Sequence, residues 1–338
     1  MLQKIKSLKI LKTIFINLGK KKKIKLVKYN KKMLDIFHIT NKDLEDYKLL
    51  KNLNEKFNLN INDIDLEELD LNDSNLSSEF FQYLKPINFE NLKHLNLKSN
   101  ALSTLGFLIG AKFVNLESLN LIENQITYID ALKSVKFKNL KVLKLGNNFI
   151  WDINPLKRAK FPKLEKLWLV SNQIQRIDVL KEVNFKALKE LYLGFNRIMD
   201  INPLSEANFA KLKILNLSFN MINDINVLAK VNFPELEELY LYNNQIGDIT
   251  ILAKAHFEKL VKLYLNNNKI THIDVFEKVN FKELKELYLG NNLIIYIGVF
   301  TKVKFKLKSL ELKGNQLDIQ KDSNIIKELK TKITNLII

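Results

Sequence analysis

One feature constrains the fold of this 338-residue chain more than any other: a 24-residue unit that recurs without drift from Phe89 to Phe300. Each unit starts with Phe and has Leu at +3, +6 and +8, an aliphatic residue at +13 and +16, and Asn at +11. Such a period indicates stacked equivalent turns. The Phe column is Phe89, Phe113, Phe137, Phe161, Phe185, Phe209, Phe233, Phe257, Phe281 and Phe305, and the Asn column is Asn100, Asn124, Asn148, Asn172, Asn196, Asn220, Asn244, Asn268 and Asn292.

Each unit contains a short strand followed by a polar turn. In Leu191-Tyr192-Leu193 the leucines point to one side and the tyrosine to the other. The Asn that follows can both donate hydrogen bonds to the backbone and accept them from it. We therefore expect the Asn column to satisfy buried backbone groups of adjacent turns.

A helical turn is predicted further along each unit. Asp130 and Asn154 stand at its start, and Pro155 follows Asn154. Asp or Asn caps free N–H groups at a helix start, and proline is tolerated at the first helical position. Small residues occupy the inward position behind this turn, namely Ala159, Val183, Ala207, Val231, Ala255 and Val279.

The unit contains L-x-x-L-x-L-x-x-N, for example Leu188, Leu191, Leu193 and Asn196, and so resembles the leucine-rich repeat family over residues 61–317, about 11 repeats. Its Ile-rich, cysteine-free repeats are similar to those of the phosphatase-regulating group and of bacterial internalins. The resemblance implies an α/β solenoid. Its parallel β-sheet would line the concave face of a horseshoe, with short helical turns on the convex face and helical caps at both ends.

Three regions are expected along the chain. Residues 1–60 are a basic helical N-terminal region, 61–317 are the repeats, and 318–338 are a C-terminal capping helix that starts at Asp322 or Ser323. A helix is also expected to open at Asp43.

The charge of the chain is concentrated at its start. Of the formal net charge of +17, residues 1–34 supply +12 through twelve lysines and no acid, which leaves +5 for the other 304 residues. The repeats are therefore not a basic domain. The absence of cysteine favours a reducing compartment, and we expect a cytoplasmic or nuclear protein.

The N-terminal segment has alternative interpretations. It looks like an F-box, which would dock residues 5–35 onto a ubiquitin-ligase adaptor, although Tyr29 stands where tryptophan is usual. It also fits a basic helical cap over the first repeat, or a nuclear or anionic-surface signal built on Lys20–Lys23. A further alternative is that the lysine-rich residues 1–34 bind nucleic acid or an acidic membrane. The F-box resemblance rests on Ile10, Leu11, Ile14, Phe15, Leu18, Leu26, Val27 and Tyr29.

Signs of catalytic chemistry are lacking in the sequence. The four histidines fall at different phases of the repeat, and no zinc spacing, phosphate-binding loop or nucleophile motif occurs. We expect no enzyme activity, no cofactor, no metal and no small-molecule substrate.

Aromatic residues recur at the outward position of consecutive strands, where rings about 4.8 Å apart would form a ladder on the concave face. Aromatic anchors are typical of protein interfaces, whereas the mixed charges beside the ladder argue against nucleic acid or membrane. The sequence thus predicts a protein-binding scaffold. The proposed contact residues are Trp168, Tyr192, Tyr240, Tyr242, Tyr264, Tyr288, Glu190, Glu238, Glu286, Phe195 and Phe219.

Overall fold

The computed structural model of the protein describes residues 18, 20–27 and 33–338. Within them, twelve strands of three residues each form one parallel sheet. Strand order in the sheet follows the sequence, so each turn of the chain packs beside the next. From β1 to β12 the strands are Glu68–Asp70, His94–Asn96, Ser118–Asn120, Val142–Lys144, Lys166–Trp168, Glu190–Tyr192, Ile214–Asn216, Glu238–Tyr240, Lys262–Tyr264, Glu286–Tyr288, Ser309–Glu311 and Asn335–Ile337.

The middle residue of each strand from β1 to β11 faces the core. In β6, Leu191 is fully buried, whereas Glu190 and Tyr192 are half-buried on the opposite face. Leu191 lies opposite Leu167 and Leu215 of the neighbouring strands. The leucines therefore form a continuous apolar layer behind the sheet, and this confirms the predicted alternation.

Short 3-10 turns lie where helical turns were predicted, but the predicted caps are wrong. Asp130 and Asn154 are the first residues inside their turns, and the cap positions belong to Ile129 and Ile153, whose carbonyls accept the first hydrogen bond of each turn. In some turns an Asp two residues earlier bonds the first N–H, as Asp152 does with Asn154. The turns are Gly106–Leu108, Asp130–Lys133, Asn154–Arg158, Asp178–Lys181, Asn202–Glu206, Asn226–Ala229, Thr250–Lys254, Asp274–Glu277 and Gly298–Thr301.

The Asn column joins consecutive turns through its side chains, as predicted. Asn220 is buried, and its Nδ2 donates to the carbonyls of Leu193, Leu217 and Ser218 at 3.0–3.1 Å. Its Oδ1 accepts the Ile198 N–H at 2.9 Å. The same pattern recurs along the array, so side chains satisfy backbone groups that the short strands leave unpaired.

Ring spacings in the core explain why the stack curves. Neighbouring rings of the Phe column are 6.1–6.4 Å apart where their centroids pair. On the outer face of the sheet, Tyr264 lies only 4.5 Å from Tyr240 and 4.4 Å from Tyr288. Turns that are closer together at the sheet than behind it bend the array around the sheet, which therefore lines the concave side of a horseshoe.

Helices occupy both ends of the described array. The N-terminal ones are α1 Lys20–Val27, α2 Met33–Phe37 and α3 Asn41–Phe57, α4 Ser78–Leu84 follows β1, and α5 Ser323–Lys332 precedes β12. Thr40 and Asp43 form a reciprocal capping box at the start of α3. Leu50 and Leu53 of α3 are buried in the core of the repeats, so this helix covers the apolar end of the first turn.

The C-terminal region contains more than the predicted helix. Helix α5 begins at Ser323 and its N-cap is Asp322, as expected. The chain then adds β12, which pairs with β11 and places Leu336 opposite Leu310. A strand thus continues the sheet beyond the last unit with a regular period.

Most of the F-box resemblance lies outside the described residues. Ile10, Leu11, Ile14, Phe15 and Tyr29 fall there, while Val27 is buried in a small cluster with Phe37 and Ile39. That cluster is separate from the core of the repeats within the described part of the chain. The docking function attributed to residues 5–35 stays a prediction.

Candidate functional site

Six consecutive strands, β5 to β10, carry the aromatic ladder predicted from the sequence. Its positions lie at the end of each strand, on the face opposite the buried leucines, and all are half-buried. They are Trp168, Tyr192, Asn216, Tyr240, Tyr264 and Tyr288. The ladder is therefore interrupted once, at Asn216.

The ladder rings contact one another. Tyr240, Tyr264 and Tyr288 stack nearly parallel, with interplanar angles of 10° and 3°. Tyr192 meets Trp168 at 5.0 Å in an edge-on arrangement. Ring pairs of this kind stabilise neighbouring strands by about 0.5–1.5 kcal/mol beyond their burial. The stacked rings form a rigid surface on the concave side.

Glutamates on the same strands hold the tyrosine hydroxyls. The hydroxyl of Tyr192 donates to Glu190 at 3.3 Å and that of Tyr288 donates to Glu286 at 3.1 Å, and Tyr240 bonds Glu238 in the same way. Burial raises the pKa of Tyr240, and the hydrogen bond to the Glu238 carboxylate raises it further. These hydrogen bonds fix the orientation of the three tyrosine rings.

A second aromatic cluster lies beside the ladder, in the loop after each strand. Phe195 and Phe219 stack at 3.8 Å, and Phe219 meets Tyr242 edge-on at 5.4 Å. Phe195 is 47% exposed and Phe219 is 36% exposed. All eleven predicted contact residues thus lie on β5 to β10 or in the loop that directly follows a strand.

Trp168 occupies the N-terminal end of the ladder. Its indole N–H is buried and has no hydrogen-bond partner among the described residues. Lys144 of the preceding strand places its ammonium 4.5 Å from the centroid of the Trp168 ring, a cation–π contact. The lysine shields this end of the ladder from solvent.

An exposed aromatic patch that the sequence analysis missed lies in the loops leading to the 3-10 turns. Tyr128, Phe149 and Trp151 are each at least half exposed, and the Tyr128 and Trp151 rings meet at 6.4 Å. Trp151 also lines a cavity of about 580 Å³ together with Gln175 and Asp178. The sequence signal is Trp151, which stands at a repeat position where the neighbouring units have the polar residues Thr127 and Gln175.

Residues of the kind that hold metals do not cluster in the described part of the chain. No helix among the described residues combines the length and apolar character needed to cross a membrane. The site offers stacked aromatic rings, carboxylates and lysines, which is chemistry suited to non-covalent recognition.

Stacked turns with a parallel inner sheet, an asparagine column and one continuous core define a repeat solenoid with an open concave face. Sequence comparison assigns the family. A profile described as leucine-rich repeats (2 copies) matches residues 114–158, 162–206 and 258–302, and a second leucine-rich repeat profile matches 186–246. The chain belongs to the leucine-rich repeat family.

Solved structures agree with this assignment. An internalin (inlF) from Listeria monocytogenes is 27% identical and matches with a TM-score of 0.61, covering 85% of this chain and 81% of that one. The APL1 leucine-rich repeat domain is 22% identical, with a TM-score of 0.56 and coverages of 75% and 69%. No curated protein matches the sequence significantly.

A third structure is the ectodomain of the receptor kinase GASSHO1/SCHENGEN3 from Arabidopsis thaliana, solved in complex with Casparian strip integrity factor 2. It is 22% identical, with a TM-score of 0.53, and the match covers 75% of this chain and 36% of that one. At 22% identity, this match and that to APL1 show a shared fold.

Proposed function

We propose that the protein is a non-enzymatic scaffold that binds a partner protein on its concave face, through the aromatic ladder and the adjacent phenylalanine pair. The ladder supplies rigid rings with polar tips, and interfaces use such rings as anchors because little side-chain entropy is lost on binding. Stacking alone accounts for much of the ladder, since aromatic residues favour strands. The phenylalanine pair is the stronger support.

Phe195 and Phe219 carry the proposal because the fold does not require aromatic residues at their positions. Both have left-handed backbone angles, with φ of 55° and 51°. This conformation costs ordinary L-residues about 1–2 kcal/mol, and Asn tolerates it best after Gly. Four other turns have asparagine at this position, namely Asn147, Asn243, Asn267 and Asn291. Two strained and exposed aromatic residues beside the ladder support a binding role.

Replacing both phenylalanines by asparagine separates binding from folding. In Phe195→Asn/Phe219→Asn, relief of backbone strain of about 1 kcal/mol at each position opposes loss of the Phe195–Phe219 stack and the Phe219–Tyr242 contact, each worth about 1 kcal/mol. We expect the unfolding free energy to stay nearly unchanged, while partner recovery falls. Affinity capture from the native cells, quantified against wild type, measures the second effect.

The matched control is Glu123→Asn, which changes the same left-handed position in a turn away from the ladder. It should leave capture unchanged. Tyr240→Ala/Tyr264→Ala should also lose the partner while the array stays folded. Unchanged recovery by both double variants would reject the concave face as the binding site.

The chemistry beside the ladder favours a protein partner over nucleic acid. Its charged row alternates in sign, with Lys166 2.7 Å from Glu190 and Lys262 3.1 Å from Glu238. A surface for phosphate backbones would be lined by unpaired cations. A ubiquitin-ligase adaptor bound through residues 5–35 is an alternative partner, and pull-down with residues 1–60 tests it. Imaging of a tagged chain would test the cytoplasmic or nuclear location inferred from the lack of cysteine.

A further inference from the structure

Two rows on the concave face are interrupted on the same strand, β7. The first outer position reads, from β5 to β9, Lys166, Glu190, Ile214, Glu238 and Lys262. The second reads Trp168, Tyr192, Asn216, Tyr240 and Tyr264. A strictly alternating charge row would have a cation at 214, and an unbroken ladder would have a ring at 216. On β7, neighbouring positions therefore lack both a positive charge and a planar group.

The gap has the width of one planar group. Tyr192 and Tyr240 lie two strands apart, on either side of β7, which corresponds to about 9–10 Å between their strands. The stacked tyrosines elsewhere in the ladder are 4.4–4.5 Å apart. A planar group inserted midway would meet each ring at the spacing the ladder already uses. The gap is thus bounded on two sides by tyrosine rings.

Asn216 closes the floor of the gap in a fixed orientation. Its Oδ1 accepts the Ser218 N–H at 3.0 Å and the Ser218 hydroxyl at 2.6 Å. A Cβ at Gly194 would come within 2.9 Å of that Oδ1, so the backbone packs tightly behind the amide. The Nδ2 of Asn216 makes no hydrogen bond to any described residue and is available to a carbonyl of a bound chain.

Carboxylates flank the gap on both sides. The side chains of Glu190 and Glu238 are only 18% and 22% exposed, and their lysine partners stand on the outer strands β5 and β9. The second oxygen of each carboxylate accepts the hydroxyl of the tyrosine on its own strand. The strand between them carries Ile214, which has no charge. Burial raises the pKa of Tyr192 to about 12, and Glu190 and then Glu238 add to this rise. Both carboxylates therefore act on the space beside Tyr192.

We propose that this gap binds an arginine side chain of the partner protein, with its guanidinium between the rings of Tyr192 and Tyr240 and its positive charge between the carboxylates of Glu190 and Glu238. This inference rests on the proposed function. A guanidinium is planar, stacks on aromatic rings and forks to carboxylates, so it supplies the missing cation and the missing planar group together. An aromatic ring would bring no positive charge to the space between the two carboxylates, and an ammonium would not fill the slot between the rings.

Methyl NMR on the full-length protein tests the proposal without the partner. The Ile214 δ1 methyl is labelled with ¹³C, assigned by Ile214→Val, and titrated with N-acetyl-arginine methylamide. We expect a saturable shift, because the guanidinium would sit over this methyl between two rings. The citrulline analogue keeps the shape without the charge and should bind roughly tenfold more weakly or not at all.

Two variants strengthen the test. Asn216→Tyr fills the gap with the residue that other rungs carry and should abolish the shift. Glu238→Gln keeps the shape and should weaken arginine binding roughly fivefold. Thermal melting checks the fold of each variant, and Glu238→Gln suffices if Asn216→Tyr does not fold.

Equal binding of the citrulline, lysine or phenylalanine analogue would overturn the assignment, and so would the absence of a shift with arginine. Failure of the proposed concave-face function is distinguishable from failure of the arginine site. A bound probe together with undisturbed partner capture by both Phe195→Asn/Phe219→Asn and Tyr240→Ala/Tyr264→Ala would contradict the concave-face function, while the arginine site would remain. Lost capture with no probe shift would reject only the arginine site.

Discussion

Replacing Asn220 by alanine tests whether the asparagine column stabilises the array. The substitution removes the side-chain acceptor of the Ile198 N–H, together with donations to three carbonyls. The two leucine carbonyls among them keep a second amide donor from a neighbouring asparagine. The main cost is therefore the Ile198 N–H, which is left buried. An unsatisfied buried donor costs about 1–3 kcal/mol and the weakened bonds add about 1 kcal/mol, so we expect a loss near 3 kcal/mol.

Urea unfolding followed by circular dichroism measures this loss, and hydrogen exchange at the Ile198 amide locates it. The matched control is Asn208→Ala, an exposed asparagine in a neighbouring loop of the array, which should change stability by less than about 0.5 kcal/mol. The exchange of Ile198 should accelerate in Asn220→Ala alone. A loss below about 1 kcal/mol, or unchanged protection of Ile198, would refute the view that the column satisfies the turns.

Three further predictions concern the core and the ladder. Phe209→Ala empties a fully buried site and should cost about 3–5 kcal/mol in urea unfolding; a cost below 1 kcal/mol would contradict close packing of the Phe column. Gly194→Ala should destabilise by about 1–3 kcal/mol because its Cβ meets Asn216 and Ser218, whereas Gly247→Ala, whose nearest neighbour is 3.7 Å away, should be tolerated. The pKa of Tyr192 rises from an ordinary 10.0 to about 12. The folding stability gained by keeping this hydroxyl protonated is therefore complete below pH 10 and is lost as the pH rises towards 12. Absorbance titration at alkaline pH should show one late tyrosine fewer in Tyr192→Phe.

The sequence predicted the repeated features well because each is set by local chemistry that recurs every 24 residues. The leucine layer follows from alternation along a strand, and the Asn220 bonds follow from an amide placed where backbone groups would otherwise be buried unpaired. The ends were harder. The repeat pattern did not predict β12, because this strand pairs with β11 outside the regular 24-residue period.

Other features depended on backbone conformation rather than residue type. The caps were mistaken because an isoleucine carbonyl, and not the Asp130 side chain, starts the 3-10 turn. The left-handed residue of each unit directly precedes the Asn column. The sequence does indicate its conformation, since asparagine recurs there at Asn243 and Asn267. Phe195 and Phe219 were predicted as contact residues, but their backbone strain became evident only from their φ angles. The gap at β7 needed the strand register, which aligns Ile214 with Glu190 and Glu238.

The spacing of the tyrosine rungs limits how a bound chain can lie. Rungs recur every 4.4–4.5 Å, whereas same-face side chains of an extended peptide recur about every 6.6 Å. Three rung steps and two same-face side-chain steps both span about 13 Å, so a peptide running parallel to the stacking axis would match every third rung with every second same-face side chain. Contact with every rung requires a partner that crosses the ladder obliquely or presents side chains from separate segments.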